Sequence, residues 1–265
     1  MIESEHTEKI QFLRKWKTEN APCLVLDRSR FVDFYDIASR KRLINFLILE
    51  RNDGKTYGGV LFSIKEFIKR GYMTLFLRRY ADETLAEALK IFDKITKNRE
   101  FPGYEFAIKT TSVKGILEGY IKEPGSKDYK KFLDLSSLSL AMKLKSAGDF
   151  PETHYIIFDE VIIPNKFKKA INYIGGYNEP ILFHELAYSV IRDKQFFQIF
   201  LLSNPISSAN PYFDFWHVSR KEGQKEYIDE SKYILFESKN HKAFIDGVRA
   251  TMWGHYISTI AYGEY

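Results

Sequence analysis

Leu43-Ile44-Asn45-Phe46-Leu47-Ile48-Leu49, followed at once by Glu50-Arg51-Asn52-Asp53-Gly54-Lys55-Thr56, is the stretch on which the reading of the chain turns. The first half is a short, nearly continuous apolar run, the pattern of a strand buried on both faces. The second half is polar and ends in glycine, and beyond it Val60, Ile64, Phe67 and Ile68 recur at helical spacing until Gly71. Strand, tight loop, helix and glycine C-cap thus follow one another without spare residues.

Working outward, the unit repeats. Tyr72 to Leu77 reads as a second buried strand, and Asp82 is placed to cap a helix whose Leu85, Leu89, Phe92 and Ile95 share one face. Alternating strand and helix predicts an α/β fold with a mostly parallel central sheet flanked by helices. Between Glu105 and Tyr120 the helical period vanishes, and segments around Phe106 and Ile116 read as a hairpin at a sheet edge. Two more apolar runs, Tyr155 to Phe158 and Phe196 to Leu202, bracket a helical stretch from Ile181 to Ile191 carrying Leu182, Leu186 and Val190.

After Pro205 the sequence becomes aromatic and mixed in charge, with turn signals at Asn210-Pro211 and Glu222-Gly223. A short strand near Tyr233 to Phe236 and a helix around Phe244 to Met252 are expected there. The organisation predicted is a core over residues 1–205 and a small C-terminal lid and linker subdomain over residues 206–265.

The bulk numbers bound the function. With 265 residues, 45% apolar, the chain can bury one sizeable core, which excludes a disordered or low-complexity class. Forty Lys and Arg against 35 Asp and Glu give a net charge of +5, a mild bias toward a polyanionic partner. Cys23 is the sole cysteine, so no intrachain disulfide can form, and it is expected to be a small buried hydrophobe. Met1 to Lys17 is charged, and no run reaches the roughly 18 apolar residues of a membrane span. Six scattered histidines give no zinc-ligand spacing, so no structural metal is expected.

Three signals carry chemistry. A glycine-lysine-threonine turn between a strand and a helix is where backbone amides point at phosphate oxygens, so Glu50 through Tyr57, that is Glu50, Arg51, Asn52, Asp53, Gly54, Lys55, Thr56 and Tyr57, form a candidate phosphate loop. Lys55 would reach the β- and γ-phosphates and Thr56 would hold Mg2+. Leu49 stands where the common pattern has its first glycine, and a surface turn capping a helix would also give the triplet. Tyr155-Ile156-Ile157-Phe158-Asp159-Glu160 places two carboxylates at the carboxyl end of a buried strand, where ligands bind in open α/β sheets. Asp159 would face the Mg2+ shell and Glu160 would orient and deprotonate an attacking water. Phe200-Leu201-Leu202-Ser203-Asn204-Pro205 ends a third strand in a hydroxyl and an amide, both able to bond a terminal phosphate; the same residues are also good turn chemistry. Arg51 or Arg192 could neutralise charge building on a transferring phosphoryl group.

These residues in this order resemble the terminase-like viral genome-packaging ATPases of the P-loop (ASCE, RecA-like) class, most closely the short packaging ATPases of phi twenty-nine-like podophages. The phosphate loop with Arg51, the strand end Phe76-Leu77-Arg78-Arg79-Tyr80, the step Phe158-Asp159-Glu160, and Ser203-Asn204 followed by Asn210-Pro211-Tyr212-Phe213 look like that family's landmarks. The resemblance implies ATP and Mg2+ as ligands, double-stranded DNA as cargo, and a homo-oligomeric, five-membered ring docked on a capsid portal, directly or through an RNA or protein adaptor, in the host cytoplasm. It implies that Arg192, after Val190-Ile191, acts as a finger in a neighbour's site, with Lys145 as a second cation acting in trans. It also implies a C-terminal domain of vestigial nuclease fold beyond Tyr265.

A translocating motor needs a handle independent of base sequence, which is the phosphate backbone, and Lys127, Lys130, Lys131, Lys166, Lys168 and Lys169 are candidate contacts, a solvated basic face being the alternative reading of the same lysines. Two alternatives stay open from sequence: another P-loop NTPase acting as a helicase-like translocase on single strands, and a ring or scaffold subunit that binds nucleotide without hydrolysis. The central expectation is that the turn before Lys55 and the pair Asp159-Glu160 meet across neighbouring strands.

Overall fold

A computed structural model describes residues 11–24, 31–49, 53–147, 150, 152–163, 174, 178–191, 194–204, 210–218, 226–229 and 234–239. The opening elements are β1 (Arg14–Lys17), α1 (Phe34–Ser39), β2 (Ile44–Leu49) and α2 (Lys55–Arg70). The unit then repeats as β3 (Met73–Arg78) and α3 (Ala81–Lys97). A meander of β4 (Glu105–Thr110), β5 (Leu117–Lys122) and β6 (Lys130–Ser137) leads through a 3-10 turn into α4 (Ala141–Ala147). The chain continues with β7 (Thr153–Asp159), α5 (Glu179–Ile191), β8 (Gln198–Ser203), α6 (Pro211–Phe215), β9 (Glu226–Asp229) and β10 (Ile234–Lys239).

The described strands make one ten-stranded sheet in the order β1-β4-β5-β6-β3-β7-β8-β2-β10-β9. From β6 to β10 every neighbouring pair is parallel, and the antiparallel pairs lie at the two edges. The mostly parallel α/β architecture expected from the alternation is the one found. The 105–120 hairpin is β4 with β5, extending the sheet toward its β1 edge.

Alternation along each strand divides two cores. Leu47 and Leu49 of β2, with Tyr155 and Ile157 of β7, pack under α1, α2 and α3. Phe46 and Ile48, with Ile156 and Phe158, pack under α4, α5 and α6. Each such fully buried side chain contributes about 1.5–3 kcal/mol, so the central strands anchor the molecule. The one polar residue of β2, Asn45, is buried and donates from Nδ2 to the carbonyls of Arg42 and Ile199, which fastens β2 to β8.

Several boundaries differ from the sequence expectation. Asp82 falls inside α3 and not at its cap; the helix starts at Ala81 with Tyr80 in the extended N-cap position, because the chain turns directly after the Arg78-Arg79 strand end. Ile68 is 39% exposed although its spacing suggested the buried face of α2. Strand β6 is invisible to apolar periodicity because it contains Lys131 and Asp134, yet the nearly buried Asp134 is neutralised by Lys131 at 2.8 Å. Cys23 is exposed, not a buried hydrophobe. Asn210-Pro211, read as a turn, starts a helix: the Asn210 side chain accepts from the amides of Tyr212 and Phe213. The strand expected near residue 233 is β10, which pairs parallel to β2 within the main sheet. The helix expected at 244–252 lies outside the described residues. No helix among the described residues is long and apolar enough to cross a membrane.

Candidate active site

At the carboxyl ends of β2, β3, β7 and β8 the sheet opens into a cleft of about 540 Å³. Its floor begins with Gly54, the N-cap of α2, whose φ of +72° is the left-handed conformation that glycine alone adopts without penalty. A Cβ there would also sit 3.0 Å from Cγ of Phe31, which packs directly on the turn. The Val32 amide donates to the Asp53 carbonyl at 3.1 Å, so the segment before α1 holds the turn from outside. The turn feeds a sixteen-residue helix whose first amides and dipole face the cleft, an arrangement suited to phosphate.

Lys55 is 8% exposed, and its ammonium donates to the Leu49 carbonyl at 2.8 Å and to Asn204 Oδ1 at 3.0 Å. Thr56 donates from its hydroxyl to Asp159 Oδ2 at 2.7 Å. The turn and the acidic pair therefore meet, but not across neighbouring strands: β8 lies between β2 and β7, and its end supplies Asn204 to bridge the gap. Parallel pairing in register brings Leu202 opposite Asp159 and Ser203 opposite Ile48, so the three strand ends finish level.

Glu160 has φ of +62°, a left-handed backbone that costs a residue with a Cβ roughly 1–2 kcal/mol. Its amide donates to Asp159 Oδ1 at 3.0 Å, and its half-exposed carboxylate faces Arg78 Nη2 at 3.1 Å. The other arm of Arg78, Nη1, reaches Asp159 Oδ2 at 2.9 Å. One guanidinium thus spans both carboxylates, offsetting the repulsion between two adjacent anions, one of them buried.

The donor set fits Mg2+. Thr56 Oγ1 and Asp159 are hard oxygen ligands on neighbouring element ends, and this cation characteristically takes only one or two protein ligands, with water and phosphate oxygens completing its shell. Among the described residues there is no group of three or more His, Cys, Asp or Glu of the kind that would enclose a metal in protein alone.

A sequence profile of the Podovirus DNA encapsidation protein (Gp16) family matches residues 26–265. The chain belongs to this family. Relatives of this Gp16-family chain include the DNA packaging protein of Bacillus phage phi29, 29% identical over 241 residues, which cover 90% of this chain and 65% of that protein. The DNA packaging protein of Bacillus phage B103 is 30% identical over 228 residues, 85% of this chain and 63% of that one. The chain spans just under two thirds of the length of these relatives. Its fold matches the crystal structure of the N-terminal domain of the DNA packaging ATPase from bacteriophage phi29 with a TM-score of 0.66 at 29% identity, covering 82% of this chain and 100% of that one. The chain in the phi29 viral genome packaging motor assembly superposes with a TM-score of 0.63 at 26% identity, covering 89% of this chain and 65% of that one.

Of the residues singled out from the Gp16-family sequence, Gly54, Lys55, Thr56, Tyr57, Asp159, Glu160, Ser203 and Asn204 all line the cleft. Asp53 does not: its side chain is fully buried beneath the turn. Ser203 turns its hydroxyl to the Ile162 and Asn204 carbonyls, so of that pair the amide of Asn204 is the group joined to Lys55. Lys145 sits on α4 in an ion pair with Glu185 of α5 at 3.2 Å, on the outer helical layer. Glu50, Arg51, Asn52 and Arg192 lie outside the described residues.

Sequence reading missed other residues in the cleft and directly behind it. Arg78 appeared only as a family landmark, although two arginines at the end of a parallel strand, where ligands bind, were the available signal. On the far wall Lys90 and Lys94 are one turn apart on α3 and exposed to the cleft. Asn98 Nδ2 donates to the Tyr57 hydroxyl, which donates to Glu100 Oε1 at 2.6 Å, a polar chain along the rim.

Proposed function

We propose that this chain is an ATP-hydrolysing motor domain that drives double-stranded viral DNA into a preformed capsid. The observation that carries the reading is the convergence of Lys55, Thr56, Asp159, Glu160 and Asn204 in one cleft at the strand ends of a family member. The DNA packaging role named for the phi29 and B103 relatives, and the ATPase named for the phi29 N-terminal domain, agree with it.

In this reading the first-turn amides of α2 and the Lys55 ammonium bind the triphosphate. Thr56 and Asp159 would hold Mg2+, which when bound neutralises charge on the phosphate oxygens. Glu160 accepts a proton from the attacking water at its carboxylate, while Asn204 Oδ1 holds Lys55 in line with the strand end. Arg78 sets how far the Glu160 carboxylate is available, because one of its arms is already bonded to it. Arg51 within the loop and Arg192 from an adjacent subunit supply positive charge to the phosphoryl group, with Lys145 as a second cation in trans. Its pair with half-exposed Glu185 is of the weak surface kind that a neighbour's phosphate can displace.

The resemblance further supports a homo-oligomeric, five-membered ring on the capsid portal, seated directly or through an RNA or protein adaptor. Independently of the resemblance, Lys127, Lys166, Lys168 and Lys169 are candidate phosphate-backbone contacts in this reading. Lys130 and Lys131 are already paired, with Glu123 and with Glu118 and Asp134 respectively, and are weaker candidates. The test is ATP hydrolysis with double-stranded and with single-stranded DNA of matched length. Stimulation by the duplex is expected to exceed that by the single strand and to fall as salt rises. Greater stimulation by single strands would replace this reading with a helicase-like one.

A further inference from the structure

Directly behind the acidic pair lies a buried polar hub that the chemistry above leaves unused. Arg79 follows Arg78 at the end of β3, and its side chain is 4% exposed. Its Nη1 donates to the Glu160 carbonyl at 2.8 Å and its Nη2 to the Val161 carbonyl at 2.9 Å. The opposite edge of the guanidinium forks onto Glu179, Nη2 to Oε1 at 2.9 Å and Nε to Oε2 at 3.2 Å. Glu179, the first residue of α5, is fully buried, and its carboxylate also accepts from the Tyr212 hydroxyl of α6 at 2.7 Å and from the Ile174 amide at 2.6 Å.

Burying an ion pair is a poor way to gain stability, because desolvation consumes most of the attraction; what such a pair supplies when fully hydrogen-bonded is fixed geometry. The geometry fixed here is that of Glu160. A left-handed backbone at a residue with a side chain persists only where the surroundings over-determine it. Among the described residues Glu160 has three such anchors: its amide on Asp159, its carboxylate on Arg78 and its carbonyl on Arg79. The first two belong to the cleft. The third leads through Glu179 into α5 and α6, away from it.

We infer that Glu179 and Tyr212 are positioning residues for hydrolysis: acting through Arg79, they hold Glu160 in its strained backbone conformation and tie it to helices α5 and α6. The inference rests on the ATP-hydrolysing reading above, in which Glu160 is the base. It also gives that reading a mechanical link. The strand end that carries the base and the helix that ends at Ile191, immediately before Arg192 in sequence, share one buried carboxylate. Displacement of a catalytic group by about 1 Å can cost on the order of a hundredfold in rate, so loosening the third anchor is expected to act on turnover, not on nucleotide affinity.

The test uses the full chain with Glu179→Gln and Tyr212→Phe, measuring ATP turnover, Mg·ADP binding and thermal melting for each. Glu179→Gln keeps the shape and removes the charge that grips Arg79. It is expected to lower kcat about ten- to a hundredfold while Mg·ADP affinity stays within about twofold. Tyr212→Phe removes one hydrogen bond without changing volume, is expected to lower kcat by roughly three- to tenfold, and covers the case in which the Gln variant does not fold. Wild-type kcat in folded Tyr212→Phe and Glu179→Gln would overturn the inference, and so would a loss of turnover matched by an equal loss of nucleotide affinity. If the wild-type chain binds Mg·ADP but never hydrolyses ATP, it is the motor reading itself that fails.

Discussion

Gly54 and Phe31 together set the shape of the turn that opens α2. The turn needs a positive φ, and the ring of Phe31 occupies the space a Cβ would take, so Gly54→Ala carries two separable penalties. The substitution is expected to destabilise the chain by about 1–3 kcal/mol. In a Phe31→Ala background the same change should cost less, though not nothing, since the backbone strain remains. Denaturant midpoints of wild type, the two single variants and the double variant check this; an undiminished cost in the Phe31→Ala background would show that the ring is not the obstacle. Lys55, Thr56, Asp159 and Glu160 were legible because each is defined by its immediate neighbours: a loop between strand and helix, an acid pair after an apolar strand. Arg78 and Arg79 were not assigned roles because Asp159 and Glu179, which they grip, lie 81 and 100 residues away, and only the register of β3 beside β7 and the approach of α5 bring them together.

Among the elements, β4 and β5 pair charged side chains beside the buried Phe106, Ile108 and Ile121. Glu105 on β4 lies beside Lys122 of β5 at 3.0 Å and accepts from the Tyr129 hydroxyl at 2.8 Å. Burial by itself would raise its pKa, but the hydrogen bonds from Tyr129 and Lys122 outweigh it and hold the carboxyl below its ordinary 4.5. A carboxyl whose folded pKa is depressed stabilises the fold above its unfolded pKa, and that contribution is lost as pH falls through the folded value. Glu105→Gln should therefore lower stability near neutral pH and flatten the acid side of the stability profile below about pH 4.5. Parallel urea melts of both proteins across that range would show it, and equal slopes would refute it. Strands β2, β7 and β8 are apolar on both faces and announce themselves. Strands β1 and β6 carry charged residues, and Arg14 on Asp93 and Lys131 on Asp134 are paired in ways that no periodicity reveals.

Across the sheet, strand order decides which residues can meet. The parallel order β10-β2-β8-β7-β3 places the turn before Lys55 and the acidic pair Asp159-Glu160 on either side of β8, and Asn204 at the end of β8 bridges to Lys55. The proposed finger from a second subunit rests on the family resemblance around Val190-Ile191-Arg192 alone, since intersubunit geometry leaves no periodicity in one sequence. Mixing Arg192→Ala chains with Glu160→Gln chains should restore part of the turnover that each lacks alone, because some interfaces then pair an intact finger with an intact base. No recovery at any mixing ratio would confine Arg192 to its own subunit.

Binding of nucleotide by Lys55 and the turn before it, and its hydrolysis by Glu160 in the same cleft, are tested most directly by measuring Mg·ATP binding and single-turnover hydrolysis side by side in Glu160→Gln and Lys55→Ala. Glu160→Gln is expected to bind about as tightly as wild type and to hydrolyse at least about a hundredfold more slowly, whereas Lys55→Ala loses binding itself. Wild-type hydrolysis in Glu160→Gln, or undiminished binding in Lys55→Ala, would contradict this assignment of roles.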